Sequence, residues 1–411
     1  MPCFKGCFGK ISEGNQMKNR RNSMYGVANE MEVKAGKTKN AMNIKLQMEM
    51  TEELSASTYG LTPQGVSTNR LEAQDFFTFK EIVGSGATGV VFRAVFKPTS
   101  EVFAVKFIPN FRQTKQMVVR ELSVLKLCGN CRFLINFHSH FRVDINMYFV
   151  MELCEGGSLE ELLEPKHVIP PKLGKVYIKE LSGALFYLHS LKIVHRDVYL
   201  PNCVLTNKAH LKLCDFGLCR TIEDPQGELL TDCGKPCTRA PEIYLDRPCS
   251  FSIDWWSVGI VLYRFTTGYR PFQTDKLTQG YQSVTKLKEK YPEWLFDDPD
   301  TKDFCQKLLI KDPKRRLGSD NEVSDIKNHP YFFGVDWEED EDIFHVIELD
   351  MQGHDIERYA TVANKILQIV GHNEVHLSHS GRFRMSLTNQ EKTKSDQTIL
   401  FKINNLVPYG F

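Results

Sequence analysis

The chain has 411 residues, 42% of them apolar, and its 52 Lys and Arg nearly balance its 51 Asp and Glu. That length holds two or three compact units with a sizeable core, and the near-zero net charge excludes bulk electrostatics as the basis for binding nucleic acid or a membrane surface. No apolar run is long enough to span a bilayer and no secretory pattern opens the chain.

In chain order, residues 1–70 are rich in Lys, Asn, Met, Glu, Ser and Thr and poor in aromatics. A disordered extension over 1–75 is expected, with a transient helix across 41–54. Alternating apolar positions in FKEIV, GVVFRAVF and EVFAVKFI predict three antiparallel strands. VVRELSVLKLC has helical spacing, and NMYFVMELC reads as a further strand. Beyond EGGSLEELL the pattern turns helical, in GKVYIKELSGALFYLHSL, IDWWSVGIVLYRFTTG and TKDFCQKLLI. The implied fold class is α+β, with a β-rich small lobe (76–153) and an α-helical large lobe (154–332). Residues 333–411 open on the acidic run DWEEDEDIF and continue as a mixed tail. The 12 cysteines follow no framework spacing, and Cys128, Cys203 and Cys214 lie in stretches that read as buried. Reduced thiols of an intracellular, cytoplasmic protein are expected. Cys128 and Cys131 form a lone CxxC with no second pair, so zinc is rejected.

Five motifs follow one another. Gly84, Gly86 and Gly89 form GxGxxG, a turn whose backbone N–H groups can approach phosphates without side-chain clash. No Lys-Ser/Thr follows the last glycine, which separates it from the Walker A loop. Lys106 lies in the apolar strand FAVKF, where an ammonium either snorkels to solvent or needs a partner. From Val102 to Val143 the only acidic residue is Glu121, on the predicted helix, so a Lys106–Glu121 pair is expected. His195-Arg196-Asp197 with Asn202 five residues on, then Asp215 in DFG, then Glu242 in APE, complete the series.

In this order the motifs resemble those of the protein kinases, from about residue 76 to 332. The resemblance implies ATP and Mg²⁺ in the cleft. Lys106 would orient the α and β phosphates and Glu121 would hold Lys106. Asp197 would act as base or hydroxyl-orienting group, and Asn202 and Asp215 as metal ligands. It places Val83, Gly84, Gly86, Gly89, Val91, Ala104 and Val204 around the nucleotide, with Met151 at the back. Backbone groups of Glu152 and Cys154 would read the adenine edge, and Ser158 would face the ribose. Arg196 would bind a phosphate on the activation segment, with Thr231 as acceptor for an upstream kinase. Glu242 would pair with Arg316, and Asp254 would accept N–H bonds from the catalytic loop.

DWWSVGIVLYRFTTGYRPF, KDPKRRLGS and IKNHPYFFGVDW are similar to the AGC group, which contains cyclic-AMP-dependent kinase and protein kinase C. This implies transfer to Ser or Thr of protein substrates, and a C-terminal tail that wraps the small lobe. Three positions depart. Tyr199 stands where Ser/Thr kinases carry a lysine that neutralises the γ-phosphate, and Lys235 stands where they carry a threonine. Either Lys235 restores the lost ammonium from the other side, or the two changes are unrelated drift and the chain is a pseudokinase that binds ATP as a scaffold. Pro201 replaces a glutamate that helps some relatives choose basic substrates. At the N-terminus, Cys3 and Cys7 flanked by Lys5 and Lys10 could carry palmitate and give membrane association, or be incidental. Ser23 and Ser386 follow arginines and could be phosphorylated.

Overall fold

A computed structural model describes residues 73–387, apart from 87, 130, 164–166, 223–233, 273–276, 287–288, 294–295, 297, 351–355 and 378–382. Thr231, Cys3, Cys7, Ser23 and the stretch 41–54 lie outside the described residues.

The small lobe is an antiparallel sheet of five strands: β1 Phe77–Gly86, β2 Gly89–Phe96, β3 Val102–Ile108, β4 Phe137–Val143 and β5 Asn146–Glu152, in the order β1-β2-β3-β5-β4. Sequence reading found four of them. It missed β4, FHSHFRV, whose polar histidines and serine blur the alternation. The register explains the roof of the cleft. Lys106 pairs with Val91 on one side, and Ala104, two residues back, pairs with Arg93 and Met151. With a side-chain period of two, these five residues share one face. The aromatics Phe77, Phe103, Phe141 and Tyr148 pack together elsewhere on the sheet, with Phe77 stacked on Phe141 at 5.8 Å and Phe141 on Tyr148 at 4.7 Å.

Helix α1, Lys115–Cys128, crosses this lobe. Its buried residues, Val118, Glu121, Val124, Leu125 and Cys128, recur at helical spacing. Glu121 therefore points inward with the apolar stripe, the one charge on it.

The large lobe is built on α2, Pro171–Ser190, and α3, Ser252–Thr267. Trp255 and Trp256 of α3 are fully buried. Helix α3 stops at Gly268, whose φ of 75° is a conformation glycine adopts without Cβ strain. Helix α4, Pro299–Leu308, packs on α3. Short two-stranded ladders, β6 Ile193–Val194 with β9 Arg220–Thr221 and β7 Cys203–Leu205 with β8 Leu211–Leu213, hold the catalytic loop between them.

Between Trp337 and Lys365 the described chain bonds to the large lobe and to the loop after α1. Arg132 donates to the carbonyls of Glu338 and Trp337 and pairs with Asp340 at 3.1 Å. Lys179 donates to the Glu339 carbonyl at 2.6 Å. Helix α5, Ile343–Asp350, ends by capping α2: Asp350 accepts from the N–H groups of Lys172 and Leu173, both at 3.0 Å. Those groups have no partner within α2, and the residue before the helix is Pro170, which has no polar side chain to offer. Helix α6, Ile356–Ile369, buries Val362, Ala363, Ile366 and Leu367 and donates from Arg358 to Thr266 of α3. The resemblance implied a tail along the small lobe; over 337–365 the hydrogen bonds and ion pairs described run to the large lobe and to Arg132. Strands β10, His372–Leu377, and β11, Phe383–Leu387, form a hairpin, and Ser386 lies on β11.

Candidate functional site

Between the lobes lies a cavity of about 800 Å³. Its roof is the sheet face described above, with Val83, Gly84 and Gly86 of β1. Its back and far wall are Met151, Glu152, Leu153 and Cys154, and its floor is Pro201, Asn202, Val204, Cys214 and Asp215. Gly86 lies over Asp215, so that a Cβ there would stand 3.6 Å from Asp215 Oδ2. Gly89 does not line the cavity. A Cβ at Gly89 would sit 2.1 Å from the Phe107 carbonyl oxygen, so glycine is required there for the close approach of β2 to β3.

The expected Lys106–Glu121 pair is present at 2.6 Å, and Lys106 also reaches Asp215 Oδ1 at 3.3 Å. Burial works against the Lys106 ammonium, but the two carboxylates outweigh it and hold its pKa above the ordinary lysine value. Burial pushes the Glu121 carboxyl up. Asp215 is held low despite its burial, by Lys106 and by the Gly217 N–H.

The catalytic loop is fixed from below. Asp254 of α3 accepts from the N–H groups of His195 and Arg196, both at 2.8 Å, as expected. These bonds hold Arg196 at φ 69°, and Asp215 stands at φ 61°. Such left-handed conformations persist only where neighbours over-determine them, and here both flank the reacting centre. His195 Nε2 lies 3.2 Å from the Cys214 carbonyl, and its Nδ1 accepts from the Asp197 N–H. The imidazole therefore ties the catalytic loop to the residue before Asp215.

Asp197 is buried. Its Oδ2 accepts from Asn202 Nδ2 at 3.0 Å, whereas Oδ1 is buried with no hydrogen-bond partner. Burial, with Asp215 nearby, raises its pKa; His195, Asn202 and Lys235 pull the other way. Because the Asn202 amide nitrogen is committed to Asp197, its carbonyl oxygen remains for a cation. That oxygen and the Asp215 carboxylate are the hard donors a small divalent cation takes, alongside phosphate oxygens. With the glycine turn above and the Lys106 ammonium between, the residues present fit a nucleotide carrying such a cation.

Several expectations change in detail. The Glu152 carboxylate turns away from the cavity, to Lys212 at 2.6 Å and the Asn136 N–H. Its N–H is also taken, by the Asn136 carbonyl. Ser158 lines the cavity, but its hydroxyl oxygen caps a short helix, Leu159–Leu162, by accepting from the Glu161 N–H. Sequence reading also missed Arg93, which bridges the cavity mouth to Glu155 at 3.0 Å. Its place on the roof follows only from the β2–β3 register. Glu242 and Arg316 pair bidentately at 2.6 and 2.9 Å, fully buried, as expected.

Tyr199 and Lys235 are near Asp197 but do not line the cavity. The Tyr199 hydroxyl accepts from Arg270 Nη2 at 3.3 Å. Gly234, at φ 83°, packs so close that a Cβ would stand 2.9 Å from the Arg196 carbonyl oxygen. That contact sets Lys235 beside the catalytic loop. Its exposed ammonium acts on Asp197 through space, with no hydrogen bond between them.

A five-stranded lobe over a helical lobe, with a lysine–carboxylate pair in the roof, Asp215 in the floor and the buried Asp197 bonded to floor residue Asn202, defines a nucleotide-dependent phosphotransfer fold. The family model described as protein kinase domain matches residues 77–332, more than half of the chain, and the chain belongs to this family. It is 33% identical over 284 residues to the eye isozyme of protein kinase C from Drosophila melanogaster, covering 68% of this chain and 40% of that protein. It is 32% identical to mouse protein kinase C delta, covering 68% and 41%. To the serine/threonine-protein kinase Sgk1-A of Xenopus laevis it is 30% identical, covering 67% and 64%. The chain thus spans well under half the length of the protein kinase C relatives. The family implies use of ATP with a divalent metal.

Proposed function

We propose that this protein transfers the γ-phosphoryl group of ATP to Ser or Thr hydroxyls of protein substrates. The observation that carries the reading is Asp197 Oδ1, a buried carboxylate oxygen with no hydrogen-bond partner, close enough to Asp215 for the two carboxylates to act on each other. A buried acceptor without a donor is costly, and a substrate hydroxyl supplies the donor. Asp197 orients that hydroxyl and takes its proton as the new phosphorus–oxygen bond forms and the bond from the γ-phosphorus to the β–γ bridging oxygen breaks, with ADP as the leaving group. Lys106 holds the α and β phosphates, and Glu121 fixes Lys106. Asn202 and Asp215 hold Mg²⁺, which when bound neutralises charge on the phosphates.

Tyr199 cannot replace the missing ammonium. Burial and the neighbouring Cys237 raise its phenol to about 12, so it is neutral at physiological pH. The Lys235 ammonium acts on Asp197, as His195 does, and in this reading Lys235 supplies the positive charge on the acceptor side of the γ-phosphate.

The test is label transfer from radiolabelled Mg-ATP to a basic acceptor protein and to the enzyme itself. Wild type should incorporate label, and Asp197→Asn should not. Lys235→Ala should lose most of the rate and Lys235→Arg should keep part of it. Equal background in wild type and Asp197→Asn, with ATP still bound and not turned over, would establish the scaffold reading instead. Full activity in Lys235→Ala would remove Lys235 from the mechanism.

A further inference from the structure

Charges on the acceptor side of Asp197 carry an inference about substrate chemistry. Tyr199, Lys235 and Arg270 do not line the nucleotide cavity. They are nonetheless connected to the catalytic loop: the Tyr199 hydroxyl is hydrogen-bonded to Arg270, and Cys237 lies close enough to act on the phenol. The loop at Tyr199, the segment after Lys235 and the turn after α3 therefore meet at one phenol. Arg270 is exposed, and no ion pair among the described residues includes it. Lys235 is exposed as well. Arg264 lies in the field of Arg270, with its own guanidinium tied to the carbonyls of His167 and Leu163. Against these cations stands Glu160, whose carboxylate acts on Tyr199, Cys237 and Arg264. Pro201, on the catalytic loop, adds no negative charge.

We propose that Arg270 selects acceptor segments that carry an anionic side chain, a carboxylate or a phosphate, within a few residues of the Ser or Thr hydroxyl. This rests on the phosphoryl-transfer reading above. A guanidinium has five N–H donors in a planar fork, and one donated to Tyr199 leaves an edge for a bidentate bond to an anion. The phenol orients the fork, so less side-chain freedom is lost on binding. An arginine on the acceptor would meet Arg270 and Lys235 and be repelled.

The experiment uses the purified full chain, Mg-ATP and peptides with one acceptor Ser, in which each flanking position is fixed in turn as Ala, Asp, phosphoserine or Arg. The expected result is at least one position where Asp or phosphoserine raises kcat/KM about tenfold over Ala. Equal gains for both assign recognition to any anion, and a gain for phosphoserine alone assigns it to phosphate. Arg270→Ala should abolish the gain through KM, Arg270→Lys should keep part of it, and Arg270→Glu should shift preference toward Arg. A flat profile, a wild-type preference for Arg, or a gain that survives Arg270→Ala would overturn the inference while leaving the kinase reading intact. No label on any peptide or on the enzyme, in wild type as in Asp215→Asn, would overturn both.

Discussion

The Lys106 ammonium lies 2.6 Å from Glu121 Oε1, with both side chains almost wholly buried. The pair joins the roof of the cleft to α1, so any displacement of the helix moves the lysine proposed to hold the phosphates. Lys106→Met should lower kcat by about a hundredfold or more, the scale for losing one preorganised charge at a developing anion. Its fold should survive, because the Glu121 carboxyl, already raised by burial, can protonate. Label transfer beside a thermal melt separates the two effects.

The acid limb of the pH–rate profile should lie above the ordinary aspartate range. Burial raises the pKa of Asp197, and the base must be ionised to accept a proton. Lys235 lowers that pKa, so Lys235→Ala should move the limb to still higher pH. A limb that stays put or moves down would mean that Lys235 does not act on Asp197 in solution.

His189 should appear in the pH dependence of stability. It is fully buried between Asp254, at 2.8 Å, and Glu322, and together these hold its pKa at about 9 despite the opposing effect of burial. A raised pKa means that the folded state holds the proton more tightly. The contribution, on the order of 3 kcal/mol, is complete below the unfolded value near 6.5 and is lost as pH rises through about 9. The stability difference between wild type and His189→Asn should be constant below that window and shrink across it. Denaturant titrations at pH 6, 8 and about 9.5 would read this directly.

Asp350→Ala should destabilise the large lobe by about 1–2 kcal/mol, the range for losing a helix cap. Asp350→Asn should recover part of it, since an amide oxygen still accepts. Phosphotransfer per folded molecule should not change, because Asp350 touches α2 and not the cleft. A drop in activity larger than the loss of folded protein would show that the capping residue also positions the site.

Much of the site was legible before any coordinates. The spacing of His195, Asp197 and Asn202 fixed a loop, and counting acidic residues paired Lys106 with Glu121. Arg93 and Arg270 left no such trace. Arg93 reaches Glu155 through strand register, and Arg270 reaches Tyr199 across 71 residues. Strand β4 escaped because Ser139, on its buried face, interrupts the apolar alternation. Asp350 escaped because a carboxylate 177 residues from the helix it caps has no local pattern.

The sequence by itself determined the chemistry: local spacing sets which donors and acceptors a strand, helix or turn presents, and this order of motifs belongs to phosphoryl transfer. Only the tertiary structure decided the electrical setting. Whether a lysine is paired or free, which oxygen of Asp197 lacks a partner, and which cations surround Tyr199 depend on through-space distances between residues far apart in the chain. Coulombic and hydrogen-bond energies follow those distances, and separation along the sequence does not specify them.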